Sequence, residues 1–240
     1  MNLTESASPS SVRVTQANLL VEASYRLNLE EKRIIIAAIA KIDSRKTVPE
    51  SITITAEEYA KLFDLDVNAA YQQLKEAAVA LYDRTIKLNT KDSKNRPIDD
   101  EMRWVYRRAV YHSREGKVTI KFSPDLIPYL GQLKEQFTGY KLANVKALKS
   151  IYSIRLYELL TQYLPAGERW ISVDQFRDML DLNDKYPRFA DLKRWIIEPA
   201  IAELNTKSNY DVRYEVEKSG NKISKLWFYF SEKSQLSMDF

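Results

Sequence analysis

Two stretches of this 240-residue chain repeat one pattern of residue types, and the duplication restricts the fold more than any other feature of the sequence. The first copy covers residues 52–65 and the second covers residues 170–182. Shifted by 117 positions, Ile54 meets Ile171 and Tyr59 meets Phe176, and the other positions keep similar sizes and polarities. After one inserted residue the match resumes further along the chain. Such a repeat indicates one supersecondary unit that is used twice.

Each copy carries the signal for a helix start. Thr55 is followed three positions later by Glu58, and Ser172 by Gln175. This is the capping box, which satisfies the free N–H groups at a helix N-terminus. A polar turn then separates a short helix from a longer one. The longer helices are predicted over residues 68–82 and about 188–204. Two helices joined by a tight polar turn form a helix-turn-helix.

A β-rich segment follows each helix-turn-helix, and one further helix precedes it. The predicted strands are Thr85–Leu88, Arg103–His112, Lys117–Phe122, Asp211–Glu217 and Ile223–Phe230, with turns at Gly116 and at residues 219–221. The preceding helices are predicted over Leu29–Ile42 and Val145–Leu164. A helix-turn-helix with a trailing β-hairpin is a winged helix. The predicted fold is therefore α+β, with two tandem winged-helix domains related by internal duplication.

The domain boundaries follow from this pattern. We expect a polar, disordered tail over residues 1–12, a first winged-helix domain over residues 13–138, a second over residues 139–230, and a flexible C-terminal tail over residues 231–240. The junction is placed at Phe137–Tyr140. Winged helices bind DNA but also serve as protein-docking modules, so the architecture favours DNA binding without deciding it.

The residue types that the chain lacks exclude several classes of enzyme. There is no cysteine and only one histidine, His112, so disulfides, thiolate catalysis and zinc sites built from Cys and His are ruled out. The five glycines do not have the spacing of a phosphate-binding loop. We therefore expect no catalytic residue, no metal and no cofactor. The longest apolar run, Ile34–Ala40, is far shorter than the roughly 20 residues of a membrane span. With no signal peptide at the N-terminus, we expect a cytoplasmic protein without a membrane partner.

The net charge of +4 is modest, but the basic residues are clustered. Residues 141–155 carry four basic residues and no acid, and residues 185–194 carry four against Asp191 alone. Helical spacing leaves Arg188 and Arg194 off the core face, near the helix end that enters the major groove in helix-turn-helix proteins. An arginine there can bind guanine with two hydrogen bonds, while lysines at the hairpin tip contact phosphates. A solvated helix face with alternating charges would show the same pattern. The second-domain candidates from this pattern are Lys149, Lys185, Arg188, Lys193, Arg194, Lys218, Lys222 and Lys225.

The first domain has a basic strip of its own. Its members lie on the predicted strands and are Arg103, Arg107, Arg108, Arg114, Lys117 and Lys121. The second helix of that domain is nearly neutral, so the two copies have diverged. We expect the second domain to read bases and the first to contact the DNA backbone, through Arg107 and Arg108, or to pair with another protomer.

Five stretches of the sequence resemble a known family. They are residues 18–23, residues 31–33, Ser153–Leu160, Arg188–Trp195 and Ile197–Asn205. Together they resemble the replication initiator (Rep) proteins of iteron-containing, theta-replicating bacterial plasmids, and the likeness covers about residues 13–230. Pro199 lies inside one of these motifs, where a proline normally costs about 3 kcal/mol, so we expect a kink or a helix boundary there.

The resemblance implies a function. Monomers bind directly repeated iterons at the plasmid origin, melt the neighbouring A·T-rich DNA and help load host replication proteins, whereas dimers, paired through the first domain, bind an inverted repeat and repress the initiator's own promoter. It implies that Arg188, Lys193 and Arg194 read the iteron, and that Lys149 and Arg155 support them on phosphate. The implied partners are double-stranded origin and operator DNA, a second copy of the chain, the host replication initiator, the replicative helicase, the sliding clamp and chaperones.

The last six residues resemble the QLxLxF peptide by which bacterial proteins bind the replicative sliding clamp. The matching positions are Gln235, Leu236, Met238 and Phe240, with Met238 in place of leucine. Methionine fills a leucine pocket with little loss of binding. A tail folded back on the second domain is the other interpretation.

Two other functions stay open at this stage. A dimeric winged-helix transcriptional repressor would use the same fold without initiating replication. A tyrosine-based strand transferase would need an arginine and histidine constellation that the sequence lacks, although fifteen tyrosines are present. For a nuclease, paired carboxylates at metal spacing are not evident in the sequence.

Overall fold

A computed structural model describes residues 11–91, 93–112 and 115–233 of the chain. The α-helices in this part are α1 (Asn18–Glu22), α2 (Leu29–Ile39), α3 (Ala56–Phe63), α4 (Val67–Ala80), α5 (Ile151–Thr161), α6 (Val173–Met179), α7 (Phe189–Leu192) and α8 (Glu198–Lys207). The strands are β1 (Arg13–Ala17), β2 (Ile52–Thr55), β3 (Thr85–Lys91), β4 (Pro97–Arg103), β5 (Val110–His112), β6 (Lys117–Ile120), β7 (Phe137–Lys141), β8 (Glu168–Ser172), β9 (Tyr210–Ser219) and β10 (Lys222–Glu232).

The first winged-helix domain begins its helix-turn-helix where the sequence predicts it. The Thr55 side chain accepts a hydrogen bond from the backbone N–H of Glu58, and the Glu58 carboxylate accepts one from the N–H of Thr55. Helix α3 ends at Asp64, which has a left-handed backbone. Asp66 then caps α4 by accepting from the N–H groups of Asn68 and Ala69. The capping box and the helix-turn-helix of copy one are confirmed.

The strands of this domain differ from the prediction. Residues 103–112, predicted as one strand, are divided: β4 ends at Arg103 and β5 begins at Val110. Trp104 and Val105 are both fully buried, which breaks the alternation of a strand, and the Trp104 ring packs edge-on against Tyr25 at 5.1 Å. Strand β4 pairs with β3 in a separate hairpin, while β2, β6 and β5 form a three-stranded antiparallel sheet.

The second domain repeats the plan. Ser172 and Gln175 form the second capping box at the start of α6. Strands β8, β10 and β9 form an antiparallel sheet in that order, and the β9–β10 hairpin turns at Gly220, which has a φ of +61°. The inner face of β10 is buried, and Phe228 lies against Phe176 of α6 at 6.1 Å between ring centroids. The chain therefore folds as two winged-helix domains, as predicted.

The helix before the second copy is shorter than expected. Instead of covering Val145–Leu164, α5 begins after Ser150, whose side chain accepts a hydrogen bond from the N–H of Tyr152. Residues Phe137–Tyr140, the predicted junction, belong to strand β7, which pairs antiparallel with β1 near the start of the chain. Whether residues 138 and 139 separate independent domains stays a prediction.

A buried polar cluster joins α5 to β1, α2 and β7. The Glu158 carboxylate lies 2.8 Å from the Lys32 ammonium of α2, and neither side chain is exposed. It also accepts hydrogen bonds from the Tyr140 hydroxyl at 2.7 Å and from Gln16 Nε2 at 3.0 Å. We call Gln16, Tyr25, Lys32, Tyr140, Arg155 and Glu158 the Glu158 network.

Among the described helices, none combines the length and the apolar character that crossing a lipid bilayer requires.

Candidate nucleic-acid interface

The second helix of the second domain is built from three consecutive pieces. Helix α7 passes into a π-helical turn over residues 193–197, in which the N–H of Glu198 donates to the carbonyl of Lys193, and α8 follows. Pro199 lies at the first turn of α8. Because proline has no N–H and its ring crowds the carbonyl four residues back, the wider π turn accommodates it. The expected helix boundary at Pro199 is confirmed.

One face of this helix is packed and the other is open. Leu192, Ile196, Ala200 and Leu204 are buried as the spacing predicts, and Phe189 is partly buried. Lys193, Arg194 and Trp195 are exposed. Arg188 precedes α7 and its guanidinium holds the Asp191 carboxylate at 2.8 and 3.2 Å. Hydrogen bonding by Asp191 raises the pKa of Arg188, so this arginine keeps its charge.

The other two cations of this face have lighter contacts. The Lys193 ammonium is 3.4 Å from the Glu198 carboxylate, and both side chains remain about half exposed. The guanidinium carbon of Arg194 lies 4.9 Å from the centre of the Trp195 ring. Both side chains can therefore reorient towards a ligand without breaking a buried contact.

The turn before the helix is fixed by Arg177. Its guanidinium donates to the backbone carbonyls of Lys185, Tyr186 and Pro187. These bonds set the direction in which the chain enters α7 and leave the Lys185 side chain exposed. Nothing in the sequence marks Arg177 as a residue that orients the interface, because its three partners are backbone carbonyls, which every residue type provides.

The hairpin lysines do not all lie at the tip. Lys218 and Lys222 flank the turn and are exposed. Lys225 was predicted at the tip, but it lies further along β10, on the face opposite buried Leu226. There its ammonium is 2.8 Å from the Glu217 carboxylate and 5.1 Å from the centre of the Trp170 ring. The placement of Lys225 at the tip was therefore wrong.

The prediction for Arg155 was also wrong. The side chain is 1% exposed, so it cannot lie on a phosphate at the surface. Its guanidinium donates to the carbonyls of Val21, Ala23 and Met179 and to the Tyr25 hydroxyl. Arg155 therefore connects α5, on which it lies, to the end of α6, to α1 and to the segment that follows α1.

Lys149, predicted as the companion of Arg155, is exposed. It lies in the loop before α5, where the N–H groups of Lys149 and Ser150 both donate to the Glu203 carboxylate of α8. Hydrogen bonds from Lys207, Ser153 and Lys149 lower the pKa of Glu203, although burial alone would raise it. Lys149 is thus held beside the same helix as Arg194.

The basic strip of the first domain is only partly assembled on strands. Arg107 and Arg108, predicted on a strand, lie in the irregular segment between β4 and β5, because the burial of Trp104 and Val105 ends β4. Both arginines are exposed, and Arg108 lies over the Tyr82 ring at 5.4 Å. Lys117 and Lys121 form ion pairs with Glu115 and Glu50. Arg114 lies outside the described residues, as do the clamp-peptide residues Gln235, Leu236, Met238 and Phe240.

Two winged helices in tandem, with an exposed basic helix and a basic hairpin on the second, define a class of DNA-binding protein. A family model described as "Initiator Replication protein, WH1" matches residues 13–161, and one described as "Initiator Rep protein, WH2" matches residues 172–230. The chain therefore belongs to the initiator Rep protein family, whose members are DNA-binding replication initiators.

Individual relatives support this membership. A "Replication initiation protein" of Escherichia coli is 30% identical, over 90% of this chain and 68% of its own length. The "PI protein" of Escherichia coli is also 30% identical, over 91% of this chain and 82% of its own. A crystal structure of Pi initiator protein in complex with iteron DNA superposes with a TM-score of 0.79 and 28% identity, covering 94% of this chain and 99% of the other.

Proposed function

We propose that this protein initiates plasmid replication by binding iterons at the plasmid origin through the second helix of its second domain. The observation that carries the proposal is the open face of that helix. Arg188, Lys193 and Arg194 are exposed there, and none of them is needed for packing. The likeness to an initiator solved with iteron DNA covers nearly the whole chain, which supports the same mode of binding.

Each group of cations has its own part in this proposal. Arg188, Lys193 and Arg194 hydrogen-bond to base edges in the major groove, the arginines to guanine. Lys218 and Lys222 at the hairpin turn, with Lys149 and Lys185, contact phosphates and set the register. In the first domain, Arg107 and Arg108 contact the DNA backbone.

The remaining steps rest on family resemblance. Bound monomers open the neighbouring A·T-rich DNA and recruit the host initiator and the replicative helicase. Dimers paired through the first domain repress the protein's own gene, and chaperones are further proposed partners. All of this takes place in the bacterial cytoplasm.

The C-terminal peptide adds a proposed contact with the sliding clamp through Gln235, Leu236, Met238 and Phe240. Deleting residues 235–240 should abolish capture of purified clamp by the full chain and leave iteron affinity unchanged. A second variant, Phe240→Ala, removes one apolar anchor and should weaken capture by about tenfold or more. Undiminished capture by the deletion variant would end this part of the proposal.

Footprinting on the DNA that flanks the protein's own gene tests the central proposal. Several protected direct repeats beside an A·T-rich segment are expected. In quantitative binding, Arg194→Ala should cost about 1–3 kcal/mol on the protected sequence and little on random DNA, because a base contact is lost. Lys222→Ala should weaken both by the same factor, because phosphates carry no sequence information.

Arg213→Ala is the matched control for this measurement. Arg213 is exposed on the same domain, but it lies on β9 over the Tyr229 ring and beside Glu215, on the face of the strand opposite buried Val212. We expect its substitution to leave both affinities unchanged. If Arg194→Ala reduced specific and random binding equally, the base-reading assignment would be wrong. A single protected palindrome without direct repeats would favour the repressor instead.

A further inference from the structure

The exposure of Trp195, on the helix proposed to read bases, has no explanation in the packing of the protein. Its side chain is 56% exposed, the largest exposed fraction among the described large hydrophobic side chains. Tryptophan is usually well buried, since its ring removes a large apolar area from water. An indole left open on a helix face that is otherwise polar is available for contact with a ligand.

The backbone presents this ring together with Arg194. Both residues lie within the π-helical turn over residues 193–197, which holds one more residue than an α-helical turn. As a result Lys193, Arg194 and Trp195 are all exposed, while Ile196 and Ile197 return to the core. The Arg194 guanidinium carbon is 4.9 Å from the Trp195 ring centre, within the range of a cation–π contact.

The chemical groups exposed in the major groove limit the contacts that an indole ring can make there. Base edges in that groove present hydrogen-bond donors and acceptors, and the one apolar group among them is the C5-methyl of thymine. A ring beside a guanidinium that binds guanine is within reach of the neighbouring base pair. Apolar contact with that methyl group would bury part of the exposed ring.

We propose that Trp195 is a specificity-determining residue that packs on the methyl group of a thymine adjacent to the guanine bound by Arg194. This inference rests on the proposed function, because it requires the helix to lie in the major groove. It adds a second kind of base recognition, by shape and apolar contact, to the hydrogen bonds of the arginines.

The test uses the full chain and a duplex carrying the footprinted repeat. Each thymine is replaced in turn by deoxyuridine, which keeps every hydrogen-bonding group and lacks only the methyl. At one position the wild-type protein should lose about fourfold in affinity, as expected for one methyl group removed from an apolar contact. Trp195→Ala should bind the unmodified duplex about tenfold more weakly and should show no further loss with deoxyuridine at that position.

Trp170→Ala is the matched control. Trp170 is 50% exposed on the same domain, but it lies on the outer face of the sheet, beside Trp227 at 6.3 Å between ring centroids. This variant should keep the wild-type affinity and the wild-type response to deoxyuridine. Circular dichroism spectra of both variants check that each is folded, and the deoxyuridine scan of the wild-type protein needs no variant at all.

The outcomes separate this inference from the function on which it rests. If the wild-type protein binds the repeat but no thymine methyl affects its affinity, the thymine contact is wrong and the proposed function stands. An equal response to deoxyuridine in wild type and Trp195→Ala would assign the methyl to another residue and would also overturn the inference. If the wild-type protein prefers no repeat over random DNA, both the proposed function and the inference fail.

Discussion

Glu158→Gln should lower the free energy of unfolding by about 3–5 kcal/mol, the cost of removing one partner from a buried ion pair. The substitution keeps the size of the side chain and removes its charge. Lys32 and Arg155 would then be left as two buried cations, 0% and 1% exposed, without the carboxylate that lies 2.8 and 3.7 Å from them. Urea denaturation followed by circular dichroism measures the change.

An exposed ion pair provides the control for that substitution. Glu215 lies 3.1 Å from Arg213, and both side chains are more than 60% exposed. Glu215→Gln should change the free energy of unfolding by about 0–1 kcal/mol, because water screens a surface pair. A Glu158→Gln variant within about 1 kcal/mol of wild type would show that the buried network contributes little to the stability of the fold.

The pH dependence of the free energy of unfolding provides a second test of the contribution of Glu158. Burial alone would raise the pKa of the Glu158 carboxyl, but Lys32 and Arg155 outweigh it, and the pKa lies below its ordinary value. A carboxyl with a lowered pKa in the folded state contributes stability above its unfolded pKa of about 4.3. That contribution is lost as the pH falls through the folded pKa. The difference between wild type and Glu158→Gln should therefore be constant at neutral pH and shrink in acid below about pH 4.

The parts of the fold that the sequence predicts are those encoded over a few neighbouring residues. Thr55 with Glu58 and Ser172 with Gln175 form their capping boxes from side chains three positions apart. The packed face of the second helix follows helical spacing, and Pro199 marks a boundary through its own covalent structure. These features need no knowledge of distant contacts, which is why they are confirmed.

The failures depend on residues far apart in the chain. In the sequence, an arginine in a basic stretch looks the same whether its side chain faces DNA or the protein interior. Arg155 is buried because it binds the carbonyls of Val21 and Ala23, which are more than 130 positions away in the chain. Strand β4 was missed because its residues are largely acidic and polar, and its pairing with β3 becomes evident only in the hairpin. Lys225 was misplaced because the length of the hairpin, not the residue type, sets the distance from the tip.

DNA binding by this protein should be strongly salt-dependent, despite a net charge of only +4. The proposed phosphate contacts are the exposed residues Lys149, Lys185, Lys218 and Lys222 of the second domain, with Arg107 and Arg108 of the first. Each neutralised phosphate contributes a slope of about −0.9 to the dependence of log K on log salt, so the six together give about −5.4. Raising the salt concentration from about 50 to 200 mM should then weaken binding by about 2,000-fold.

Lysine substitutions show how many phosphate contacts contribute to this slope. The double variant Lys218→Ala with Lys222→Ala should reduce the slope by about 1.8, because two phosphate contacts are lost, and should do so on random DNA as well as on the repeat. Lys134→Ala is the control, since Lys134 is exposed in the first domain, in the loop before β7, and its removal should leave the slope unchanged. A wild-type slope near zero would place these lysines off the DNA. The salt dependence measures the local cluster of cations that contacts DNA. The net charge of the chain conceals this cluster, because acidic residues far from the helix lower the net charge without lying at the DNA.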